Sequence, residues 1–78
     1  MNVLIVDDEW MMLGMAKDTV EEVVPDSSVE TSFDPCRASE MAQKKKYDVA
    51  LLDIEMPEMT GLELAKKLKM IDSHINII

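Results

Sequence analysis

The chain is short and acidic, with 78 residues, of which 47% are hydrophobic and 31% charged, and a formal net charge of -8. This composition is typical of one small globular domain rather than a disordered segment. The acidic excess argues against direct nucleic-acid binding by this segment, because phosphate contacts need a basic face.

Strand and helix patterns alternate along the chain. They predict, in order, strand 2–6, a helix from residue 8 or 9 that ends at Pro25, strand 29–33, helix 35–45, strand 49–53, helix 61–70, and a fourth strand from residue 74. The second strand places Val29, Thr31 and Phe33 on one face, which suits an edge strand with one exposed side. Strands alternating with helices over short connections imply an α/β protein with a parallel sheet and right-handed crossovers.

Capping residues and helical spacing support the three helices. Asp34 before Pro35 is a typical helix start, and Thr60 with Glu63 is a predicted capping box. Glu63 is also expected to pair with Lys67 on the helix surface. The apolar residues expected to face the sheet are Leu13, Ala16, Val20 and Val23, then Ala38, Met41 and Ala42, then Leu64, Ala65, Leu68 and Ile71. The run 44–46 of three lysines is interpreted as a solvated helix end.

Acidic residues follow two of the predicted strands. Asp53 closes a run of four apolar residues that is typical of a strand buried on both faces, and open α/β sheets bind ligands at this end of their strands. Asp7, Asp8 and Glu9 follow the first strand. If the two strands are parallel neighbours, Asp7, Asp8 and Asp53 meet at one edge. Two carboxylates about 5 Å apart repel by roughly 3 kcal/mol at an effective dielectric of 20, which calls for protons or a cation. Mg²⁺ suits a site of few carboxylates and water.

These motifs together resemble the receiver domain of two-component response regulators. The resemblance is carried by residues 4–9 (Leu-Ile-Val-Asp-Asp-Glu), residues 47–57 (Tyr-Asp-Val-Ala-Leu-Leu-Asp-Ile-Glu-Met-Pro) and Gly61. It implies a flavodoxin-like doubly wound sheet with strand order 2-1-3-4. It also implies a phosphorelay role, in which Asp53 accepts a phosphoryl group from a sensor histidine kinase. This module would signal and would not turn over an external substrate.

The metal ligands expected for this role are Asp8 and Asp53, with Asp7 acting directly or through water, and Mg²⁺ (or Mn²⁺) as the ion. The resemblance adds the backbone carbonyl of Glu55 as a ligand and places the Glu55 side chain over the site. It also implies that the kinase contacts the first helix, where Trp10 and three methionines (11, 12 and 15) could face a partner.

The resemblance covers the whole chain, but the chain covers only the N-terminal part of the family's domain. Residues 1–78 would lack strand 5 and helices 4 and 5, together with the Ser or Thr that ends strand 4 and the Lys that ends strand 5 in receivers. We therefore expect a weakened ion site, impaired phosphorylation and switching, and association into a dimer or larger oligomer through the fourth strand. A DNA-binding output domain that regulates transcription is common in the family, and nothing in these residues indicates one.

Two other readings are open. A haloacid-dehalogenase-like phosphatase also uses a strand-end Asp with Mg²⁺, but that class has a second Asp where this chain has Glu55, and it leaves the first acidic pair unexplained. A purely structural domain would carry the same acids as surface groups.

The expected compartment is inferred from cysteine usage and from the apolar runs. Cys36 is the one cysteine, so no internal disulfide can form, which fits a reducing compartment. We see no signal peptide and no apolar run near the roughly 20 residues that span a bilayer. The expectation is a cytoplasmic protein with no membrane contact.

Overall fold

The computed structural model describes residues 1–56 and 59–78, in which strands and helices alternate as the sequence predicts. The elements are β1 (Asn2–Val6), α1 (Trp10–Val23), β2 (Ser28–Ser32), α2 (Pro35–Lys44), β3 (Val49–Leu52), α3 (Gly61–Ile71) and β4 (Asn76–Ile77). Each boundary lies within about two residues of its prediction, as expected where helix ends fray. None of the helices in these two stretches has the length and apolar character needed to cross a membrane.

The four strands form one parallel sheet in the order β2-β1-β3-β4, as predicted. In the central pair Val6 lies opposite Leu52, and on the other side of β1 the same residue lies opposite Ser32. Because the strands are parallel and in register, the residues that follow them emerge at one edge of the sheet. This edge carries the acidic residues.

The hydrophobic core has two layers, because side chains alternate between the two faces of the sheet. The layer toward α2 and α3 is the larger and consists of Leu4, Val6, Ala38, Tyr47, Ala50, Met56, Leu64, Leu68 and Ile75. The layer toward α1 consists of Val3, Ile5 and Leu13, with Ala16, Val20, Val29 and Leu51 packed against it. β1 contributes to both layers, which explains its uninterrupted apolar sequence.

Two side chains that were predicted to face the sheet are exposed, and one residue that was predicted to belong to the second strand lies outside it. Val23 is 72% exposed because the packed stripe of α1 ends one turn earlier, at Val20. Ile71 is the last residue of α3 and lies outside the core. Phe33 follows β2 rather than belonging to it, and its ring stacks on Trp10 with centroids 6.0 Å apart.

The predicted helix caps are present. The Thr60 hydroxyl accepts from the Glu63 amide (3.2 Å) and the Glu63 carboxylate accepts from the Thr60 amide (3.4 Å), which is a capping box. Asp34 accepts from the Cys36 amide at 2.9 Å. The predicted Glu63–Lys67 pair is wrong: within the described residues Glu63 makes no ion pair, because its carboxylate is turned toward the helix start.

A polar cluster joins the edge strand to the end of α2. Glu30 of β2 accepts from Lys45 Nζ at 2.6 Å and from the buried Tyr47 hydroxyl. Lys45, interpreted as part of a solvated lysine run, is therefore engaged. The hydrogen bond from Lys45, and then that from Tyr47, lowers the pKa of Glu30. Burial, followed by the Glu30 contact, raises the pKa of Tyr47.

Tyr47→Phe is expected to lower the free energy of unfolding at pH 7 by about 1 kcal/mol, since it removes one hydrogen bond to a half-exposed charge. The folded-state pKa of Glu30 lies below its ordinary value of 4.5, so the cluster stabilises the fold above that pH and weakens as the pH falls through the folded pKa. Urea unfolding of Tyr47→Phe, with Glu30→Gln beside it, should show smaller losses at acid pH. An equal loss at both pH values for Tyr47→Phe would contradict this role.

Candidate metal centre

Three carboxylates from two neighbouring strands converge at the carboxyl edge of the sheet. Asp7 and Asp8 follow β1, and Asp53 follows β3. One oxygen of each of these side chains lies within 4.8 Å of the others. The arrangement follows from the parallel pairing of β1 with β3, which brings the residues after Val6 and Leu52 side by side.

Backbone hydrogen bonds fix the positions of the two strand-end acids. The Asp53 amide donates to the Val6 carbonyl at 2.9 Å, and the Asp7 amide donates to the Ser32 carbonyl at 3.2 Å. Their side chains are held in turn by local contacts: Asp7 Oδ1 accepts from the Glu9 amide (3.0 Å) and Asp53 Oδ1 from the Glu55 amide (3.4 Å). Both of these backbone contacts are to Oδ1, so neither uses the second carboxylate oxygen.

Loss of hydration and repulsion among the three carboxylates disfavour the ionised form of Asp8. The pKa of Asp8 is raised, first by loss of hydration at its contacts, then by hydrogen bonding to the Asp53 carboxylate and by repulsion from Asp53 and Asp7. Asp8 is nevertheless exposed, whereas Asp7 and Asp53 are half-buried. A cation in contact with all three would replace mutual repulsion by attraction.

The surroundings of the site supply no positive charge from the described residues. An open cleft of about 370 Å³ next to Asp7 and Asp53 is otherwise lined by apolar side chains: Ile5, Val6, Ala16, Leu51, Leu52, Ile54 and Ile78. The lysine run lies elsewhere, since the Asn2 amide side chain, at the opposite end of β1, donates to the Lys46 carbonyl at 3.1 Å. Negative charge at this edge of the sheet would have to be balanced by a cation.

The donor set fits a hard divalent ion. Carboxylate oxygens are preferred ligands of Mg²⁺, whose bonds of about 2.0–2.1 Å place opposite ligands of an octahedron roughly 4.2 Å apart. Oxygens within 4.8 Å of one another are therefore close to the required spacing, and a third acid can contribute through water. Glu55, whose carbonyl is a predicted ligand, lies beside the site, with its amide on Asp53. Pro57 of the motif lies outside the described residues.

Two residues that support the site were not assigned a role from the sequence. Ser32 is buried, and its hydroxyl bonds both the amide and the carbonyl of Asp34, which fixes the chain just after the carbonyl that holds Asp7. Gly61 packs directly on the backbone of Asp53. The position of Gly61 in the receiver-like motif indicated that it matters to the site. The sequence around Ser32 gave no comparable indication.

A parallel sheet in this order, with three acids at its carboxyl edge, is the arrangement that the resemblance to receivers implied. A family model described as the response regulator receiver domain matches residues 3–78, and the chain belongs to this family. A curated relative is the cyclic di-GMP phosphodiesterase response regulator RpfG of Xanthomonas campestris, 35% identical over 77 residues, or 99% of this chain and 20% of RpfG. The aerobic respiration control sensor protein ArcB of Escherichia coli is 35% identical over 68 residues, 87% of this chain and 8% of ArcB.

Solved structures agree with this family and fold. The Vibrio cholerae chemotaxis protein CheY4 has a TM-score of 0.88 and 35% identity, over 97% of this chain and 63% of that one. A structure of histidine kinase ThkA in complex with response regulator protein TrrA matches with a TM-score of 0.86 and 29% identity, over 97% of this chain and 64% of the matched chain. The chain thus spans under two thirds of these proteins. Nothing in the comparisons supports the haloacid-dehalogenase alternative.

Proposed function

We propose that Asp53 is the phospho-acceptor of this receiver chain and that it works with Mg²⁺, or Mn²⁺ in its place. The observation that carries the proposal is the convergence of one oxygen each from Asp7, Asp8 and Asp53 within 4.8 Å. Repulsion among these acids costs folding free energy, which a bound cation would offset.

The residues divide the task as follows. Asp8 and Asp53 would hold the ion directly, Asp7 directly or through water, and the Glu55 carbonyl would complete the protein ligands. When bound, Mg²⁺ supplies positive charge to the phosphoryl oxygens. The Glu55 side chain is exposed next to Asp53, where a further carboxylate would influence how long the acyl phosphate survives.

Asp53 is suited to nucleophilic attack because its side chain is already oriented. The Glu55 amide donates to Oδ1, whose remaining lone pair can bind the ion, and Oδ2 would then attack phosphorus in line with the leaving group. With a phosphohistidine donor, the P–O bond to Asp53 forms as the P–N bond breaks, and the imidazole nitrogen keeps the electron pair and takes a proton from solvent. The chain is a signalling module that undergoes one transfer and does not turn over an external substrate.

A sensor histidine kinase is the proposed donor. The support is the ThkA–TrrA complex among the similar structures and a sensor protein among the relatives. On this chain the proposed contact surface is the start of α1, where Trp10, Met11 and Met15 are exposed beside Asp8. Large exposed apolar side chains of this kind are typical of protein interfaces. A cytoplasmic location would be consistent with this donor and with the free Cys36.

Phosphodonor chemistry tests the proposed function. Incubation with acetyl phosphate or phosphoramidate and Mg²⁺ should add one phosphoryl group, and borohydride reduction of the acyl phosphate should convert Asp53 to homoserine, detected by peptide mass spectrometry. Because no Lys or Arg among the described residues lines the cleft, uptake should be slow and partial, and EDTA should stop it. Labelling only at other residues, or labelling indifferent to EDTA, would contradict the proposal.

Self-association of the 78-residue chain is a second part of the proposal, with a second copy as the partner. β4 pairs only with β3 among the described strands, so one side of its backbone is free to pair. Around it Ile54, Leu62 and Ile78 are between 69% and 75% exposed. An edge strand flanked by apolar side chains favours pairing with an identical edge.

Sedimentation velocity should therefore show a concentration-dependent dimer or larger species. Leu62→Lys should shift the population toward monomer, since it places a charge beside the edge. Met70→Lys is the matched control: it changes the charge equally on the same helix, at a side chain that is 87% exposed. A monomer at all concentrations in the wild-type chain would rule out the association.

A further inference from the structure

Gly61, the first residue of α3, packs against the backbone at the end of β3. A Cβ atom at Gly61 would overlap the carbonyl oxygen of Asp53 and lie 3.0 Å from its carbonyl carbon and from the Ile54 Cα. Gly61 does not have a positive φ, so the close approach, and not an unusual backbone conformation, requires glycine here. Gly14, the other glycine, has nothing within 4 Å of the same position.

Both sides of this contact are held in place by other contacts. On one side α3 is anchored by the fully buried Leu64 and by Leu68, and the Gly61 amide donates to the Ile54 carbonyl at 2.9 Å. On the other side the Asp53 amide donates to the Val6 carbonyl. An added methyl group must therefore either lift the first turn of α3 from the sheet or displace the Asp53–Ile54 peptide.

We infer that Gly61 is a positioning residue for Asp53. By allowing α3 to begin in contact with the Asp53 carbonyl, Gly61 fixes the peptide from which the carboxylate projects and so its distance from Asp7 and Asp8. The inference deepens the proposed function and rests on it. Metal ligands hold their distances to about 0.2 Å, and a misplacement of about 1 Å costs on the order of 100-fold where function depends on geometry.

Gly61→Ala tests this role by two measurements on the folded chain. The first is the Kd for Mn²⁺, which should rise by about tenfold or more relative to wild type, the usual effect of losing a residue that orients a metal ligand. The second does not need an ion: hydrogen exchange of the Asp53 and Glu55 amides, which donate to Val6 and to the Asp53 carboxylate, should accelerate. Gly61 itself contacts no ion, so both effects would act through Asp53.

Two control variants separate positioning from stability. Gly14→Ala adds the same methyl group where nothing lies within 4 Å. Ala65→Gly weakens α3 by about 1 kcal/mol without touching Asp53. Both should keep the wild-type Kd for Mn²⁺ once the folded fraction is taken into account. If Ala65→Gly weakens Mn²⁺ binding as much as Gly61→Ala does, helix stability explains the effect and the inference is overturned.

The outcomes distinguish this inference from the proposed function. If the wild-type chain does not bind Mn²⁺, the proposed metal site fails, and the exchange of the Asp53 and Glu55 amides still decides the positioning role. If wild type binds and a folded Gly61→Ala binds equally well, the inference is wrong. Should Gly61→Ala be unfolded in buffer, it is measured in trimethylamine N-oxide. A chain that stays unfolded there overturns the inference, because the contact then serves the whole fold.

Discussion

Asp53→Asn is expected to abolish phosphoryl uptake from a small phosphodonor, because an amide oxygen is too weak a nucleophile to form the acyl phosphate. Asn has nearly the same shape and can still accept from the Glu55 amide, so the fold should be retained. Intact-mass spectrometry after incubation with acetyl phosphate and Mg²⁺ measures the effect. The expected result is background labelling.

Asp18→Asn is the matched control for this prediction. It removes the same charge from an exposed position on α1, away from the sheet edge, and should label like wild type. Wild-type labelling in Asp53→Asn would move the acceptor to another residue, and Asp8 would be the next to test because it belongs to the same cluster.

Leu64→Ala is expected to produce a large loss of stability. Leu64 is fully buried between α3 and the sheet, and truncation of such a leucine costs about 3 kcal/mol through lost burial and the cavity left behind. A chain of this length has a total of roughly 4–12 kcal/mol, so a large part of the stability disappears. The melting temperature should fall by more than about 10 °C.

Met70→Ala provides the comparison on the same helix. Its side chain is 87% exposed, so its truncation should change the free energy of unfolding by less than about 0.5 kcal/mol. Thermal and urea unfolding followed by circular dichroism measure both variants. Similar losses for the two would show that α3 is not anchored to the sheet through Leu64.

The sequence predicted the parts of the fold that depend on local pattern. The uninterrupted apolar run of β1 identified residues 2–6 without error, and the capping pair Thr60 and Glu63 identified the start of α3. Both signals are carried by a few adjacent residues. The strand order followed from the family resemblance, since periodicity alone does not choose among parallel arrangements.

The misses have three different causes: a choice between two local partners, a contact between distant segments, and the limit of the packed surface under a helix. Glu63 could satisfy either the helix start or Lys67, and geometry favoured the former. Lys45 was assigned to solvent because its partner Glu30 lies 15 positions away on another element. For Val23, helical spacing was correct, but spacing does not reveal where the sheet beneath a helix ends.

The same distinction applies to the candidate site. The convergence of the acids was predictable because parallel strands end together. The fit of Gly61 against the Asp53 carbonyl was not, since it depends on how closely α3 approaches β3. The motif identifies a glycine at position 61, but the physical reason for glycine at that position is its close packing against the Asp53 carbonyl.

Paramagnetic NMR with Mn²⁺ tests the central claim most directly. If Asp7, Asp8 and Asp53 form one divalent-ion site, substoichiometric Mn²⁺ should broaden the amide signals of these three residues first, Mg²⁺ should restore them, and Asp8→Ala or Asp53→Ala should remove the effect. Broadening that begins at other acids, such as Asp26 or Glu40, or that Mg²⁺ fails to reverse, would contradict the account.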